Sequence, residues 1–329
     1  MTFSSPLGVR MTDDALDQTP SGELAAEIAV HVLGHAPRSV KRFETGTQHH
    51  VFDVEFERGP PVVVRLADPS GRAKMAGAVH LSGLLRPLGV PLPALLADDL
   101  DAAFPWILLE RLAGKDLGAV APGLFQRQLD RVAAEIARAQ AITARTRSAG
   151  RYGYATLPED APHAAWSQVL DAHLARSRRR IAAADLFDVG LVDMAQAKLA
   201  AMRSELNEIG PTPFLHDTTT KNVIVTLGGG FSGIVDVDDL CFGDPRYPAA
   251  LTLASMMAYG GPASYVAAWL RHAGQSDDAV FRLYVALFIL DLMSEHGHVF
   301  NGNIRPSTPE DRAALYQAFE ASASHMTRA

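Results

Sequence analysis

The sequence predicts a two-lobed α+β fold, with a small strand-rich lobe followed by a larger and mostly helical lobe. Its 329 residues exceed the usual size of a single hydrophobic core. Segments with strand character concentrate before residue 113, and helical periodicity dominates after it. We therefore place the boundary near residue 113, with an N-terminal lobe at 21–113 and a C-terminal lobe at 114–329.

The N-terminal lobe is predicted to contain a small antiparallel sheet and one main helix. Residues 1–20 are polar and are expected to form a flexible arm before a first helix at 21–35. Three strand-like segments follow, SVKRFETG, HHVFDVEFE and PVVVRLAD, and FPWILLERL is a further one. A helical pattern at 72–85 lies between the third segment and the last.

The C-terminal lobe shows helical periodicity at 124–143, 164–184 and 191–208. This pattern is interrupted at 212–237, where VIVT and GIVD predict two short strands joined by a glycine-rich turn. Helices are expected again from there onward. The most apolar late segment contains Asp291 and is too short to cross a bilayer, so no membrane association is expected.

Composition excludes several classes of protein. The net charge of -7 argues against binding to nucleic acid, because affinity for the phosphate backbone requires clustered Lys and Arg. The basic run Arg176–Arg180 lies in a helical pattern and is predicted to be a solvated helix face. Cys241 is the single cysteine, which rules out an intrachain disulfide and fits a reducing compartment. We expect a cytoplasmic monomer or homodimer.

The segment from His216 to Asp244 concentrates the groups that phosphoryl transfer requires. Asp217 and Asn222 lie five residues apart in a polar loop, so a carboxylate can face a substrate hydroxyl while an amide oxygen reaches a metal ion. Asp236 is the last residue of the second predicted strand of the hairpin, GIVD, and lies beside that loop. These positions predict a catalytic base and two metal ligands, although each residue alone could form a turn or cap a helix.

Two stretches, HDTTTKNVIV and GIVDVDDLCFGDPRYPAA, resemble the signature of the aminoglycoside phosphotransferase and choline kinase group. The resemblance covers most of the chain. FETGTQHHVFDVEF is similar to the loop that covers the nucleotide, VVVRLAD to the strand with the phosphate-contacting cation, and PWILLERLAGKDLG to the linker between lobes. It implies a protein-kinase-like two-lobed fold, ATP or GTP as the phosphoryl donor, and Mg²⁺ as the cofactor.

The resemblance also implies a role for each matching residue. Asp217 matches the base, Asn222 and Asp236 match the magnesium ligands, and Asp244 matches a structural acid that supports the loop. The remaining nucleotide-binding positions are Gly46 in the loop over the phosphates, Arg65 as the cation, and Glu110 and Leu112 in the adenine-contacting linker.

Three positions depart from the family pattern. Arg65 stands where Lys is typical, and the helix at 72–85 lacks the acid that holds this cation, so we expect Arg65 to be less firmly oriented. Leu215 occupies the place of a histidine, and His216 follows it. Lys221 is unusual in this loop and is a candidate for neutralising the transferred phosphate, with a solvated lysine as the alternative.

The acceptor is expected to contact acidic side chains of the C-terminal lobe. Asp291 and Glu295 share one helical face and Asp238 follows the metal ligand, which favours a cationic acceptor, although an exposed acidic face is the alternative. We predict a kinase that uses ATP or GTP to phosphorylate a hydroxyl of an aminoglycoside, amino sugar, amino alcohol or related metabolite. The alternatives are a nucleotide-binding pseudokinase that acts through partners and a metal-dependent phosphohydrolase.

Overall fold

The computed structural model describes residues 19–43, 49–300, 303–304 and 307–326, and the predicted α+β fold class is confirmed. The helices are α1 (Gly22–Leu33), α2 (Arg72–Leu85), α3 (Leu117–Val120), α4 (Gln126–Thr143), α5 (Trp166–Ala184), α6 (Gly190–Ala201), α7 (Arg203–Glu208), α8 (Tyr247–Tyr259), α9 (Ser264–Ala273), α10 (Ala279–Glu295) and α11 (Pro309–Met326).

The strands form four antiparallel sheets, the largest of them in the first third of the chain. They are β1 (Ser39–Arg42), β2 (His50–Glu55), β3 (Val62–Leu66), β4 (Leu95–Asp99), β5 (Trp106–Glu110), β6 (Lys115–Asp116), β7 (Gly153–Ala155), β8 (Thr212–Phe214), β9 (Val223–Val225), β10 (Phe231–Ile234), β11 (Leu240–Gly243), β12 (Val299–Phe300) and β13 (Asn303–Ile304).

The N-terminal sheet has the strand order β1-β2-β3-β5-β4, and a helix covers each of its faces. On one face, α1 packs against the core formed by alternate residues of β2 and β3, including Phe52 and Val64. On the other face, Met75 of α2 packs against Ile107 of β5. Arg65 lies opposite Ile107 in the register of β3 and β5, and directly opposed residues point to the same face. The sheet therefore presents Arg65 on its α2 side.

The C-terminal lobe is built around α10, which is apolar on all sides and is buried along most of its length. This helix packs against α5, α8 and α11. Trp166 begins α5 inside this core and donates a hydrogen bond from Nε1 to the hydroxyl of Tyr284, 2.8 Å away. None of the helices in the described ranges combines the length and apolarity that a bilayer crossing requires.

Two small sheets support the segment that was predicted to hold the site. The hairpin of β9 and β10 pairs with β6 in the order β10-β9-β6, as the glycine-rich turn indicated. The buried strand β11 lies between β7 and β8. The polar loop 215–222 therefore connects β8 in the sheet of β7, β11 and β8 to β9 in the sheet of β10, β9 and β6. Residues 235–239 connect β10 to β11 and so run between the same two sheets in the opposite direction.

The predicted helices at 72–85, 124–143 and 164–184 are present, with ends that differ by at most two residues. The helix predicted at 191–208 is divided into α6 and α7 at Met202, whose φ of -98° and ψ of 6° leave the helical region. The strands β4, β6, β7, β8, β11, β12 and β13 were not predicted, and the last three lie where helices alone were expected. They are two to five residues long and pair with strands that are mostly distant in sequence.

Candidate active site

The loop between β8 and β9 is fixed by hydrogen bonds from its own backbone and from α4. Gln140 of α4 is buried, donates from Nε2 to the carbonyl of Leu215 (2.8 Å) and accepts from the Leu215 amide (3.0 Å). The same Nε2 donates to the hydroxyl of Thr218 at 3.2 Å. The amide of Gly118 donates to the carbonyl of Thr220. Helix α4 and the start of α3 thus hold this loop in one conformation.

Asp217 occupies the start of this loop with both carboxylate oxygens engaged. Its Oδ1 accepts a hydrogen bond from the hydroxyl of Thr219 at 2.7 Å, and its Oδ2 lies 3.2 Å from Nζ of Lys221. Burial acts to raise the pKa of Asp217, but the Lys221 ammonium and the Thr219 hydroxyl outweigh it and hold that pKa below its usual value. The carboxylate is therefore ionised at neutral pH and can accept a proton.

Hydrogen bonds to backbone carbonyls connect Asn222 to Asp217 and connect the residue before Asp236 to Asn222. The side-chain Nδ2 of Asn222 donates to the carbonyl of Asp217 at 2.9 Å, which orients its buried amide oxygen away from that carbonyl. The carbonyl of Asn222 accepts from the amide of Val235 at 2.9 Å, so the residue before Asp236 is bonded to the loop. Asp236 has a φ of 64°, an uncommon value for a residue other than glycine, and its side chain is half exposed.

Arg65 extends from β3 toward residues 236–238, where two carboxylates bind it. Its Nη2 lies 3.0 Å from Oδ1 of Asp236 and 2.5 Å from Oδ2 of Asp238. His49 approaches the same Oδ2 of Asp238 through Nε2 at 3.1 Å. We expected an Arg65 that is less firmly oriented, because α2 supplies no acid. The structure differs, since residues 236 and 238 supply two acids.

The linker residues lie where the two lobes join. Glu110 ends β5 and accepts a hydrogen bond at Oε2 from the amide of Ala94, and its own amide donates to the Ala94 carbonyl. The carbonyl of Leu112 accepts from Nη1 of Arg111 at 3.0 Å. Gly114 follows with a φ of 114°, and a Cβ at this position would lie 2.3 Å from the carbonyl oxygen of Val225. The linker therefore lies directly on β9.

The residues predicted to bind the acceptor fall into two different environments. Asp291 is mostly buried, and Nη2 of Arg176 lies 2.9 and 3.0 Å from its two carboxylate oxygens. Burial acts to raise the pKa of Asp291, but His173 and Arg176 outweigh it and lower that pKa strongly. Glu295, one turn later, lies close enough to Lys221 for its charge to raise the pKa of the ammonium. Arg176 was predicted to lie on a solvated helix face, but it forms an ion pair with Asp291 and its side chain is only partly exposed.

Asp238 also differs from the expected acceptor contact, because its carboxylate faces Arg65 and His49 and is 14% exposed. Asp239 beside it has a pKa raised to about 6 by burial and by the negative charge of Asp238. Asp244 is buried, binds Arg246 at 2.7 Å and accepts from the hydroxyl of Tyr284 at 2.9 Å. It therefore connects the end of β11 and the start of α8 to the α10 core.

His216 lies under the loop against aromatic rings. Its ring centroid is 4.7 Å from that of Tyr154, 5.9 Å from that of Tyr247 and 6.0 Å from that of Phe288. Burial lowers the pKa of His216 from 6.5 to about 4, so the imidazole is neutral at pH 7. Gly46, predicted to lie over the phosphates, falls outside the described residues.

A comparison with models of protein families shows which family the chain belongs to. The model of the phosphotransferase enzyme family, APH, matches residues 39–284, which include every site residue described above except Asp291 and Glu295. The chain belongs to this phosphotransferase family. The phosphotransferase is a small-molecule kinase, and the predicted family resemblance is confirmed. None of the curated proteins compared with it matches its sequence.

Solved structures show the same fold at low sequence identity. Aminoglycoside phosphotransferase APH(4)-Ia, as a thermostable mutant without ligand, is 16% identical, with a TM-score of 0.66 over 92% of this chain and 100% of that one. A Thermobifida fusca protein assigned as a fructosamine-3-kinase is 19% identical, with a TM-score of 0.60 over 92% and 98%. The streptomycin–ATP–APH(2'')-IIa ternary complex is 11% identical, with a TM-score of 0.63 over 94% and 99%.

The oxygen atoms of the Asn222 and Asp236 side chains are of the type that Mg²⁺ prefers. One carboxylate, Asp236, and one amide oxygen, Asn222, lie on hydrogen-bonded segments, and Mg²⁺ in phosphoryl-transfer enzymes binds to one or two such groups together with substrate phosphates. In the described part of the chain, no group of three or more His, Cys, Asp or Glu side chains is arranged to hold a metal ion.

Sequence analysis missed His49 and Gln140, two polar residues that contact this site. Gln140 interrupts the buried face of α4, where Ile136, Ala137 and Ala139 are apolar. A polar residue in such a position indicates a buried hydrogen-bond partner, so this signal was available. His49 directly precedes β2, which begins at His50, and the sequence contains no sign of its contact with Asp238, 189 residues later.

Proposed function

We propose that this phosphotransferase moves the γ-phosphoryl group of ATP or GTP to a hydroxyl of a small molecule. The observation that supports it is a pair of hydrogen bonds, from Nδ2 of Asn222 to the Asp217 carbonyl and from the Val235 amide to the Asn222 carbonyl, which hold Asp217, Asn222 and Asp236 on adjacent segments. Fold neighbours support a nucleotide donor, because APH(4)-Ia mutants form ternary complexes with AMP-PNP or ADP and hygromycin B.

In this proposal Asp217 is the general base. Its lowered pKa keeps the carboxylate ionised, so Oδ1 or Oδ2 can orient the acceptor hydroxyl and receive its proton. The hydroxyl oxygen forms the new bond to the γ-phosphorus as the bond from phosphorus to the β,γ-bridging oxygen breaks. Bound Mg²⁺ would neutralise charge on the phosphates, and Asn222 and Asp236 would hold it.

Two cations contribute positive charge to the same reaction. Arg65 lies beside Asp236 and would contact the nucleotide phosphates, and its planar fork favours bidentate contact with phosphate oxygens. Lys221 lies beside Asp217 and is 56% exposed, so its ammonium can turn from the carboxylate toward the transferred phosphate. The nucleotide base would lie against the backbone of Glu110 and Leu112 where the lobes join.

The acceptor is proposed to carry few positive charges. Of the three acidic residues expected to bind a cationic acceptor, Asp291 is paired with Arg176, and Asp238 is paired with Arg65. Glu295 lies within the electrostatic range of Lys221. A polycation requires several carboxylates that are not already neutralised by the protein. This charge balance favours an amino sugar, amino alcohol or neutral polyol over an aminoglycoside with many ammonium groups.

The test is a nucleotide-consumption screen with ATP and GTP against aminoglycosides, amino sugars, amino alcohols and sugar alcohols. We expect acceptor-dependent turnover, and Asp217→Asn to lower kcat by about 10²–10⁴-fold because proton acceptance is lost. Lys221→Ala is expected to lower kcat without a matching loss of stability. The control is Asp171→Asn, which removes an ion pair with Arg203 on α5 and α7.

Two results would contradict the proposal. Binding of Mg²⁺-nucleotide without turnover on any acceptor would favour the pseudokinase that acts through partners. Cleavage of phosphate esters without a nucleotide would favour the phosphohydrolase.

A further inference from the structure

Arg65 is a buried cation whose partners come from the other lobe. Its side chain is 6% exposed, and both carboxylates within 3.0 Å of Nη2 belong to the segment after β10. A buried guanidinium is strongly destabilising unless it is paired. Helix α2, which packs on the same face of the sheet, contains neither Asp nor Glu. The orientation of Arg65 is therefore set by residues 236 and 238.

The two carboxylates differ in what else they can do. Asp236 is half exposed and is the proposed ligand of Mg²⁺, so its oxygens are shared with the metal when the nucleotide binds. Asp238 is mostly buried, and its Oδ2 lies between Nη2 of Arg65 and Nε2 of His49, at 2.5 and 3.1 Å. Asp238 is thus the carboxylate that can remain with Arg65 through the reaction.

The backbone of Asp238 is held against α2 by a close contact. A Cβ added to Gly77 would lie 2.2 Å from the carbonyl oxygen of Asp238 and 2.7 Å from Oγ1 of Thr156. The Thr156 hydroxyl also donates to that carbonyl at 3.4 Å. No side chain fits between α2 and this segment at Gly77. At position 77, the backbone of Asp238 occupies the space through which a side chain of α2 would have to extend to reach Arg65.

We propose that Asp238, supported by His49, is the positioning residue for Arg65 and replaces an acid on α2. The inference rests on the proposed function, in which Arg65 contacts the nucleotide phosphates. Asp238 would hold the guanidinium so that its remaining N–H groups point toward those phosphates. It therefore acts on nucleotide binding through Arg65 and contacts neither the acceptor nor the metal.

The test compares Asp238→Asn and Asp238→Glu with the wild-type protein at saturating Mg²⁺. We expect Asp238→Asn to raise the KM and Kd for the nucleotide by about tenfold, as loss of a supporting partner typically does, and to leave the KM for the acceptor unchanged. Asp238→Glu keeps the charge and is expected to recover part of this loss. Asp236 remains beside Arg65 in both variants, so the guanidinium keeps one carboxylate partner and the variants fold.

A double-mutant cycle separates positioning from general stability. In an Arg65→Met background, Asp238→Asn is expected to cause no further loss of nucleotide affinity, because the residue through which it acts is gone. Asp171→Asn, which breaks the Arg203 ion pair, is the matched control and is expected to leave nucleotide KM unchanged. Thermal unfolding of each variant shows whether any change in KM merely follows a loss of stability.

Three outcomes would overturn the inference alone. The first is a nucleotide affinity that is unchanged in Asp238→Asn. The second is a loss of nucleotide affinity on Asp238→Asn that is as large in the Arg65→Met background as in the wild-type protein. The third is a change only in the Mg²⁺ concentration that activity requires, which would make Asp238 a metal ligand. Absence of Mg²⁺-nucleotide binding by the wild-type protein would instead overturn the proposed function and, with it, this inference.

Discussion

His216 is a buried imidazole directly before the proposed base, and its protonation is linked to folding. Burial lowers its pKa from 6.5 to about 4, with Asp217 as the largest opposing influence. The unfolded chain therefore binds a proton between pH 6.5 and pH 4 that the folded protein excludes. The contribution to stability is complete above this window and is lost as the pH falls through it.

We predict that His216→Phe reduces the acid sensitivity of folding. Phenylalanine keeps a ring against Tyr154, Tyr247 and Phe288 but cannot titrate. Between pH 7 and pH 4.5 the wild-type protein is expected to lose about 2–3 kcal/mol more unfolding free energy than the variant. Urea denaturation at the two pH values measures this difference. Equal losses in both proteins would show that the pKa of His216 is the same in the folded and unfolded states.

The proximity of the candidate site residues was predictable from sequence where it depends on local spacing. Asp217, Asn222 and Asp236 lie within one loop and one hairpin, and the structure brings them onto hydrogen-bonded segments. The partners of Asp238 and Asp291 were not predictable. They lie 173 and 115 residues away along the chain, and only the packing of distant elements makes them neighbours.

At the scale of elements, the contact between α2 and the segment after β10 depends on a single glycine. We predict that Gly77→Ala destabilises the protein by about 1–3 kcal/mol, because the new methyl group would overlap the Asp238 carbonyl and force the two segments apart. Nucleotide affinity is expected to fall as well, since Asp238 would shift relative to Arg65. Thermal unfolding and nucleotide titration measure these effects.

The matched control is Gly83→Ala in the same helix. Gly83 is exposed, and a Cβ there would meet no atom within 4 Å. Alanine is favoured over glycine in an exposed helix interior by about 0.5–1 kcal/mol, so this variant is expected to be slightly more stable than the wild type. Equal behaviour of the two variants would mean that the contact at Gly77 is dispensable.

Elements with a clear hydrophobic periodicity were predicted, and strands that form only by pairing with distant strands were not. Helices α2, α4 and α5 each have an apolar stripe long enough to be recognised. Strand β11 is four buried residues without alternation, and it is a strand because β7 and β8 flank it. Short buried segments of this kind take their conformation from tertiary pairing, which a single sequence does not reveal.

At the scale of the whole molecule, both lobes contribute charges to the same site, so ligand binding is expected to be linked to global stability. We predict that Mg²⁺ and nucleotide together raise the unfolding free energy by about 2.7 kcal/mol when the nucleotide is present at a hundred times its Kd. Nucleotide without Mg²⁺ is expected to stabilise less, because the Asp236 carboxylate and the phosphates repel each other without a cation between them.

Thermal unfolding with nucleotide, with Mg²⁺ and with both measures this linkage. Equal stabilisation by nucleotide with and without Mg²⁺ would contradict the assignment of Asn222 and Asp236 as metal ligands. The place of the five-stranded sheet in the first third of the chain was predictable, because strand-like segments concentrate before residue 113. The contacts between the lobes, such as the hydrogen bond from the Ile234 amide to the Pro91 carbonyl, were not predictable.

The ion pair between Arg65 and Asp238 also bears on how far the two lobes can move apart. The arginine belongs to the sheet of one lobe and the aspartate to the other, so a hinge motion at the linker would separate them. Separation would leave a buried charge unpaired, a change that costs about 3–5 kcal/mol when one partner of a buried pair is removed. Nucleotide entry and release therefore require either small lobe movements that preserve this pair or water that replaces it.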